Sequence, residues 1–600
     1  MPDTLPTIET PTIEAPTIEA PTIETDVLVI GTGPAGSACA LTLVRNGIKP
    51  MVVNKYGWTA QTPRAHITNP RTMEVLSDLG VKDEALRHAV PHTMMGENTF
   101  CASLSGPEFG RIPTWGTDPD IARNYALASP ETNYDITQNL MEPVLLGNAA
   151  HSGANVQFHT EFLHYEQDTT GVTSTLQNRL TGQKHYVRSR YLVGADGANS
   201  TVARIADLPL EGTPDKEGSM NIVFNADLSE YVAHRQSVLY WVIQDGSDVG
   251  GLGMGVVRMV RPWNRWLAIW GYDLNVGQPD VDEEKAVKVV HDLVGDDTIN
   301  VEIDSISFWK VNEVYATHLQ DRRVFCMGDA VHRHPPTKGL GSNTSIQDGY
   351  NLGWKLALVI KGRAGESLLE SYSQERAPVA RQVVTGANRC IRTFFPIIGT
   401  LGLMDVKSPE EAKANVMSML DDTEEAKARR DQLIDAVAGT RDVFDNPGIE
   451  ICHRYESAAV DADFSQKPEP AGDLEVMFEN TTFPGARMVH AWILKNGRKV
   501  STLNVCGHYR FTLFTGISGK AWSGAAETVS HELGVNIETV IIGPGQKHQD
   551  VFGDYRRLRE VEESGAILVR PDQHIGWRAL KLSDSPAADL RIAMKNILGL

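Results

Sequence analysis

The chain has 600 residues, of which 41% are hydrophobic and 22% charged, as is ordinary for globular proteins. This length exceeds what one compact core supports, so we expect two or three domains. The 56 basic and 76 acidic residues give a formal charge of -20. That balance argues against a nucleic-acid groove, which needs clustered Lys and Arg.

The six cysteines lie far apart and include no Cys-x-x-Cys pair. They indicate neither a disulfide framework nor a structural zinc site, and they favour a reducing, cytoplasmic location. No Lys or Arg precedes Arg45, which argues against a signal or transit peptide. The longest apolar stretches are short or interrupted by glycine, so we predict no transmembrane helix and no membrane partner.

Residues 1–25 form a low-complexity repeat in which Pro-Thr-Ile-Glu recurs at Pro6, Pro11, Pro16 and Pro21. Proline at this density blocks a regular helix, and one Ile per unit cannot build a core. The repeat is predicted to be a disordered acidic arm, either a docking tail or a dispensable extension.

Order is predicted to begin at Asp26 with a strand–turn–helix–strand pattern. Residues 27–30 are typical of a buried parallel strand, residues 37–45 of a helix, and residues 49–54 of a second strand. This βαβ context raises the glycine motif between the first strand and the helix above coincidence.

That motif is a glycine-rich turn typical of dinucleotide sites. The turn itself needs Gly31, Gly33 lets the backbone approach a pyrophosphate, and Gly36 allows the helix to pack closely on the strand. The phosphates are then expected at the helix N-terminus. The candidate cofactor residues here are Gly31, Gly33, Pro34, Ala35 and Gly36.

The end of the second strand departs from the usual fingerprint. An acidic residue would bind a ribose hydroxyl there, but Asn54 and Lys55 occupy the position. An Asn can still hydrogen-bond a ribose, so both residues are retained as cofactor candidates.

Two later motifs indicate which dinucleotide is bound. Asp196 lies in the segment 194–200 and Asp329 in the segment 324–332, each after a buried strand. Either carboxylate could hold hydroxyls or fix a loop, and a single Asp-Gly pair is usually an ordinary turn. Occurring in this order with the N-terminal glycines, the two motifs favour FAD.

Residues 220–275 are rich in short aromatic and β-branched runs, at 238–241 and 266–270. Turn residues at 245–247 and 250–251 separate these runs, so we predict an antiparallel sheet that faces the substrate. Tyr240 and Trp241 are candidate pocket residues, with plain core packing as the open alternative.

The C-terminal third changes character twice. Residues 405–440 are polar and helix-forming, as in a connecting segment. Strand-like runs at 511–514, 540–542 and 566–569 alternate with helical patterns and predict a separate C-terminal α/β domain.

With these motifs in place, the chain resembles the group A flavoprotein aromatic hydroxylases, whose markers are the glycine fingerprint, the Asp-Gly motif and the Gly-Asp motif. Segments 64–69, 95–98, 258–263 and 327–334 are similar to the phenol-hydroxylase branch of that family. The resemblance runs from about Thr25 to the C-terminus.

The resemblance implies an α/β fold with a Rossmann-like FAD-binding domain, an inserted antiparallel-sheet substrate domain and a C-terminal thioredoxin-like domain. That last domain would lack redox cysteines, because Cys506 is followed by Gly507 and His508. The implied parts are the FAD domain at 26–205 and 305–404, the mainly substrate-binding sheet at 206–304, a helical connector at 405–469 and the thioredoxin-like domain at 470–600.

The resemblance also assigns further residues to FAD. A glycine loop leading into a helix at 344–358 would place its N–H groups against the isoalloxazine and stabilise negative charge on reduced flavin. For Arg64 the alternative is a surface salt bridge. The residues assigned in this way are Arg64, Gln138, Asp196, Asp329, Pro336, Gly339, Gly341, Ser342 and Asn343.

The implied reaction consumes NADH or NADPH and O2. The nicotinamide reduces FAD, O2 gives a flavin C4a-hydroperoxide, and a substituted phenol is hydroxylated ortho to its hydroxyl to give a catechol. Forming phenolate at neutral pH from a phenol of pKa about 10 costs about 4 kcal/mol, so a positioned base helps.

His66 and Asp135 are the candidates for that base, and Arg258 is a candidate for nicotinamide or flavin contact. The alternatives are a structural His, an Asp that ends a turn, and an Arg satisfied on the sheet. His332 and His334 resemble a metal pair, but the Gly-Asp context explains them better, so no metal is predicted.

Two other functions stay open at this point. One is a flavoenzyme of different chemistry, such as a dehydrogenase or a disulfide reductase, although the missing Cys pair disfavours the reductase. The other is a non-catalytic FAD-binding protein. The expected partners are a small phenol and other copies of the chain, in a dimer or tetramer.

Overall fold

The computed structural model describes residues 22–243, 254–404, 406–463, 465–469 and 472–600. Most of the predicted arm and the two predicted turns at 245–247 and 250–251 lie outside these residues. The first strand begins at Thr22, four residues before the predicted start at Asp26, because the end of the repeat pairs with a neighbouring strand from Tyr186 onward.

The described strands fall into three large sheets and one two-stranded ladder. They are β1 (Thr22–Ile30), β2 (Met51–Val53), β3 (Ile67–Thr68), β4 (Glu97–Cys101), β5 (Glu108–Pro113), β6 (Tyr134–Asp135), β7 (Asn155–Gln157), β8 (Thr160–Gln167), β9 (Val172–Asn178), β10 (Lys184–Gly194), β11 (Leu210–Asn225), β12 (Ser237–Ile243), β13 (Met254–Arg261), β14 (Arg265–Tyr272), β15 (Glu302–Ala316), β16 (Gln320–Asp321), β17 (Val324–Cys326), β18 (His332–Arg333), β19 (Trp492–Lys495), β20 (Arg498–Ser501), β21 (Phe511–Gly516), β22 (Ile537–Ile542), β23 (His548–Gln549), β24 (Ala566–Val569) and β25 (Ile575–Ala579).

The described helices cover the sheets and join them. They are α1 (Pro34–Arg45), α2 (Pro70–Asp78), α3 (Lys82–Leu86), α4 (Pro119–Ala128), α5 (Gln138–His151), α6 (Thr201–Ile205), α7 (Ser229–Val232), α8 (Glu283–Val294), α9 (Gly341–Ile360), α10 (Ser367–Ile391), α11 (Phe395–Thr400), α12 (Pro409–Met417), α13 (Glu424–Ala438), α14 (Pro447–Ile451), α15 (Ala521–Leu533), α16 (Asp554–Leu558) and α17 (Pro586–Leu598). Within the described residues, no helix combines the length and apolarity needed to cross a bilayer.

The first sheet has the order β16-β17-β10-β1-β2-β7, with β8 and β9 continuing from β10. Strands β17, β10, β1, β2 and β7 run parallel, so their carboxyl ends meet at one edge. The predicted βαβ opening is therefore present. Helix α1 starts at Pro34 rather than at residue 37, because a proline suits the first helical turn.

The second sheet has the order β18-β15-β11-β14-β13-β12-β4-β5 and is antiparallel except where β12 and β4 pair. It contains the strands predicted around 238–241 and 266–270. It also extends beyond the predicted range of 206–304, because β4 and β5 join from earlier in the chain and β15 and β18 join from later. Such strand pairs, distant in the sequence, leave no local signal.

The third sheet has the order β20-β19-β23-β22-β21-β24-β25. Strand β21, helix α15 and the parallel strand β22 are followed by the antiparallel strands β24 and β25 and by α17. Cys506 is buried and unpaired. The thioredoxin-like assignment of this part stays a prediction.

A buried network of charges joins the third sheet to α9 and α10. Arg570 bonds both Glu375, at 2.6 Å, and Asp572, and Lys355 reaches the other oxygen of Glu375 at 2.7 Å. All four side chains are at most 2% exposed. Removal of one partner would leave buried charges without compensation, which is costly.

We therefore expect Arg570→Met to lower the free energy of unfolding by about 3–5 kcal/mol. Thermal unfolding of the FAD-loaded protein measures the loss. Arg591→Met is the matched control, because its pair with Glu532 is a third or more exposed and is worth at most about 1 kcal/mol. Equal small losses in both variants would contradict the assigned role of the network.

Candidate active site

The turn between β1 and α1 is built around two crowded glycines and one open glycine. Gly31 has φ +106°, and a Cβ there would lie 2.1 Å from the carbonyl oxygen of Ala195 on β10's exit. A Cβ on Gly36 would lie 2.1 Å from the oxygen of Gly31. A Cβ on Gly33 meets only an oxygen of Glu142, at 3.9 Å, so the space beside Gly33 is open.

This turn fits the pyrophosphate of FAD. No side chain caps the first turn of α1, so backbone N–H groups at Ala35 and Gly36 stay available to an anion. Gly33 directly precedes this first helical turn, and it carries no side chain that could obstruct a ligand. The crowding at Gly31 and Gly36 agrees with their predicted packing roles, while contact of Gly33 with a pyrophosphate stays a prediction.

Asp196 has its carboxylate committed within its own loop. One oxygen accepts from Ser200 Oγ at 2.5 Å, and the other accepts from the backbone N–H groups of Thr201 and Val202. The carboxylate thus fixes the turn after β10 and caps α6. A direct contact between Asp196 and FAD stays a prediction.

Asp329 is an exposed residue, and desolvation of its carboxyl group by the surrounding protein raises the pKa. Its electrostatic partners are His332, Arg64 and Arg333, and they lower the pKa. Gly328 beside it has φ +62°, and a Cβ there would lie 3.1 Å from the Cβ of Ala35, so the backbone of this loop comes close to the start of α1. A charged acceptor at the wall of an open cleft suits hydroxyl groups of a cofactor.

The loop of Asp329 is held by a residue that sequence analysis did not identify. Asp348 on α9 accepts from the backbone N–H of Gly328 at 3.1 Å and lies 2.9 Å from His332 Nε2. Arg376 donates to its other oxygen at 2.7 Å. His332 is thereby engaged by a carboxylate, and no group of residues able to hold a metal ion occurs in the described part of the chain.

Asn54 forms three hydrogen bonds within its own surroundings. Its amide donates to Thr32 Oγ1 and to the carbonyl of Trp58, and its oxygen accepts from the N–H of Tyr56. These bonds fix the loop after β2, while the oxygen keeps a second lone pair, so a bond from a ribose hydroxyl stays a prediction. Lys55 is exposed and lies over the Tyr56 ring at 5.3 Å.

Arg64 and Gln138 lie in the same cleft as the α1 turn. Arg64 is exposed, and its positive charge lowers the pKa values of both Glu142 and Asp329. Gln138 starts α5 and donates from Nε2 to Glu142 Oε1 at 2.6 Å. Its backbone N–H bonds the carbonyl of Ala65, which attaches α5 to the His66 segment.

The N-terminus of α9 lies against the same segment. Gly339 has φ +62°, and a Cβ there would lie 3.1 Å from the Cβ of Ile67. Asn343 donates to the carbonyls of Ile67 and Gly339, at 2.8 and 2.7 Å, and accepts from the N–H of Asn69 at 3.0 Å. No side chain caps α9, so this end remains able to stabilise negative charge.

The remaining predicted cofactor residues of this loop flank the same end of α9. Pro336 is exposed, and Gly341 and Ser342 form the partly exposed first turn of the helix, starting at Gly341 rather than at residue 344.

The three predicted catalytic residues come together. Strands β3 and β6 form an antiparallel ladder that places Ile67 opposite Asp135, and His66 Nδ1 lies 2.8 Å from Asp135 Oδ2. Arg258 Nη2 lies 3.7 Å from the other oxygen of Asp135, while its Nη1 donates to the carbonyl of Pro63 at 2.6 Å. Residues far apart in the chain thus form one His–Asp–Arg cluster.

Burial and charge set the protonation of this cluster. Burial acts to raise the pKa of Asp135, but His66 and Arg258 together hold it below its ordinary value. Burial, followed by the charge of Arg258, lowers the pKa of His66. Burial lowers the pKa of Arg258 to about 10. At neutral pH the cluster therefore holds an ionised Asp135, a neutral His66 and a charged Arg258.

The neutral imidazole has a defined orientation. An ionised carboxylate only accepts, so His66 Nδ1 must carry the proton that it donates to Asp135. This leaves the lone pair on Nε2, which can accept a proton from a ligand.

Of the two predicted pocket residues, one faces the site and the other is engaged in the sheet. Successive residues of β12 point to opposite faces. The Tyr240 hydroxyl donates to the carbonyl of Arg235 and accepts from the N–H of Ser237, so its polar group is satisfied within the sheet. A pocket role for Tyr240 stays a prediction. Leu239, two residues from Trp241, pairs with Arg258, which puts Trp241 on the Arg258 face.

Trp241 belongs to an aromatic cluster that reaches His66. Its ring lies 4.6 Å from Phe394 and 6.5 Å from Phe444, and Phe444 lies 5.3 Å from Trp115. Trp115 in turn packs edge-on against His66 at 6.0 Å. The indole nitrogens of both Trp115 and Trp241 are buried without a hydrogen-bond partner.

Sequence analysis did not identify three of these rings. Phe444 lies in the segment that was interpreted as a connector, Phe394 follows α10, and Trp115 occupies a turn with φ +50°. None of them belongs to a recognisable motif. Glu142 could have been found, because it follows Gln138 by one helical turn and must lie on the same face.

Comparison with family models matches residues 24–387 to an FAD binding domain and residues 481–600 to the C-terminal part of aromatic-ring hydroxylases. Among curated proteins, 2,4-dichlorophenol 6-monooxygenase of Cupriavidus pinatubonensis is 55% identical over 96% of this chain and 96% of its own length. Phenol 2-monooxygenase of Pseudomonas sp. (strain EST1001) is 46% identical over 94% of this chain and 91% of its own length.

The solved structures include a similar protein with its ligands in place. The flavin-dependent monooxygenase PieE, in complex with FAD and substrate, superimposes with a TM-score of 0.91. It is 39% identical, and the match covers 96% of this chain and 99% of PieE.

Proposed function

Because the chain belongs to the family of FAD-binding aromatic-ring hydroxylases, we propose that it is a monooxygenase that uses FAD, NAD(P)H and O2 to hydroxylate a phenol to a catechol. The observation that carries this proposal is the buried pair of His66 and Asp135 beside the FAD cleft. The similarity to phenol and dichlorophenol monooxygenases extends over 94% or more of this chain and supports the same substrate class.

When bound, FAD supplies the redox chemistry and the activated oxygen, and the chain supplies position and proton transfer. We assign the α1 turn to the pyrophosphate, Asp329 to hydroxyl groups of the cofactor, and the α9 N-terminus to the flavin ring. Glycine at position 33 leaves the backbone accessible, and the uncapped helix ends favour negative charge.

His66 acts as the base toward the substrate. Its Nε2 accepts the phenolic proton, and the ionised Asp135 stabilises the imidazolium that forms. Since phenolate is the more electron-rich form, this transfer activates the ring carbon next to the oxygen. Arg258 lies close enough to favour a negative charge at this place, while it keeps Asp135 ionised.

The aromatic cluster of Trp115, Trp241, Phe394 and Phe444 holds the substrate ring. Aromatic side chains offer large apolar area and edge or face contacts to a ring. The two unpartnered indole N–H groups can serve polar ring substituents.

Three finer assignments belong to the proposal as well. The chain acts as a homo-oligomer, a dimer or a tetramer, and it is located in the cytoplasm. Its C-terminal sheet has a structural or dimer-forming role, because Cys506 is buried and has no nearby cysteine with which to form a disulfide.

The test is a screen of substituted phenols for stimulated NAD(P)H oxidation, with products identified by mass spectrometry. Catechols formed ortho to the hydroxyl are the expected products, in amounts that match the NAD(P)H consumed. NAD(P)H oxidation that yields hydrogen peroxide with every phenol, without any hydroxylated product, would overturn the proposed substrate class.

A further inference from the structure

Glu142 is a buried carboxylate directly beside the place assigned to the pyrophosphate. The residue is 1% exposed, and its Oε1 lies 3.9 Å from the position of a Cβ on Gly33. A ligand that uses the open space at Gly33 therefore comes into contact range of this carboxylate. Putting an acid next to a phosphate site is unexpected, because like charges repel.

Glu142 also holds two parts of the cleft in place. Its Oε1 accepts from Gln138 Nε2 and its Oε2 from the backbone N–H of Ala60, both at 2.6 Å. Ala60 belongs to the loop that leads from β2 to Arg64 and His66. The carboxylate therefore joins α5 to the loop that carries the cofactor and base residues.

The charges that face Glu142 do not neutralise it. Arg64 of the loop is the charged group that lowers its pKa, but burial has the larger effect. Helix α1 faces Glu142 with the Gly33 turn. The acids of α3, Asp83 and Glu84, lie at the other end of α5, where Glu84 accepts a hydrogen bond from Asn148. Burial dominates and raises the pKa of Glu142 to about 7.

We propose that Glu142 is a positioning residue of the FAD site that takes up a proton from solvent when the cofactor's pyrophosphate binds at Gly33. Both of its oxygens are occupied by donors and cannot turn away without releasing the loop or Gln138. Protonation removes the repulsion and allows the acid to donate toward a phosphate oxygen. This inference rests on the proposed FAD site.

The proton uptake fixes the sign of a pH effect. Binding of the anionic group raises the pKa of Glu142 above its value in the apoprotein, so FAD binds most tightly where Glu142 is already protonated. As pH rises above about 7, each unit should weaken FAD binding by on the order of tenfold until the pKa of the complex is reached. Below that range the affinity should be constant.

The experiment is a titration of full-length apoprotein with FAD, followed by flavin fluorescence, between pH 6 and pH 8.5. Wild-type protein should lose on the order of tenfold or more in affinity over this range. Glu142→Gln should show no such loss, because a neutral amide does not titrate, and it should bind FAD more tightly than wild type at pH 8.5. Its oxygen can accept from the N–H of Ala60 while its NH2 donates to the oxygen of a flipped Gln138 amide. Calorimetry in buffers of different ionisation enthalpy should find up to one proton taken up by wild type and fewer by the variant.

Glu131→Gln is the matched control, because burial raises the pKa of Glu131 but its partner is Lys82, away from the α1 turn. This variant should keep the wild-type pH dependence. A wild-type affinity that does not change with pH, or a Glu142→Gln variant that keeps the wild-type slope, would overturn the inference. Failure of wild-type protein to bind FAD at any pH would instead overturn the proposed function.

Discussion

Replacing His66 by Gln is expected to lower the rate of hydroxylation about 100-fold or more while FAD content stays near that of the wild type. General-base catalysis by a positioned side chain contributes about 10²- to 10⁴-fold. The variant leaves Asp135 and Arg258 in place but removes the imidazole nitrogen that accepts the proton of the substrate. Single-turnover product formation, measured with the FAD content of each sample, gives the effect.

Two further measurements separate a base from a structural histidine. A phenol that is already ionised at neutral pH needs no base, so acidic nitrophenols should recover much of the lost rate in the variant. Wild-type activity should fall as pH drops below 6.5 through the lowered pKa of His66, and His66→Gln should lack that limb. Equal loss of FAD and of activity would show a structural role instead.

The second large effect is expected at Gly33. Gly33 has φ -66° and ψ -178°, which any residue can adopt, and its surroundings leave room for a side chain. Gly33→Val should therefore fold as apoprotein but bind FAD at least about 100-fold more weakly, since the added atoms occupy the space that the pyrophosphate needs. Circular dichroism and FAD titration of the same preparation test both halves.

Gly31→Ala is the matched comparison. Its added Cβ would lie 2.1 Å from a backbone oxygen, at a φ of +106° that L side chains rarely adopt. That variant should lose folding itself and appear as insoluble or unstable protein. If Gly33→Val bound FAD with wild-type affinity, the pyrophosphate could not lie at this turn.

The opening of the first sheet could be predicted because its signals are local. Residues 27–54 contain two apolar runs, a glycine turn and a helix in direct succession, and each part has a physical signature. The convergence of Asp196 and Asp329 on the same edge follows from parallel strands. The resemblance to a family added His66 and Asp135, which no local pattern would have paired across 69 residues.

Other features could not be read in advance because they depend on packing between distant segments. The sequence does not show which hydrogen bonds Asp196 and Asn54 form within their own loops, and the structure supplies those bonds. Their contacts with a cofactor stay predictions. Phe444 comes from a stretch whose composition indicated only polar helices. Its position against Trp115 arises from the way α13 packs on β5.

The hydrogen bonds of the Asn343 side chain with residues 67–69 have a consequence for how the substrate preference of this enzyme can evolve. They join the N-terminus of α9 to residues 67–69, directly after His66, so one side chain connects the proposed flavin position to the proposed base. Two rings of the aromatic cluster, Phe394 and Phe444, come from other segments of the chain. If these rings hold the substrate as proposed, substitutions among them should change which phenol is accepted while Asn343 and its hydrogen bonds stay in place.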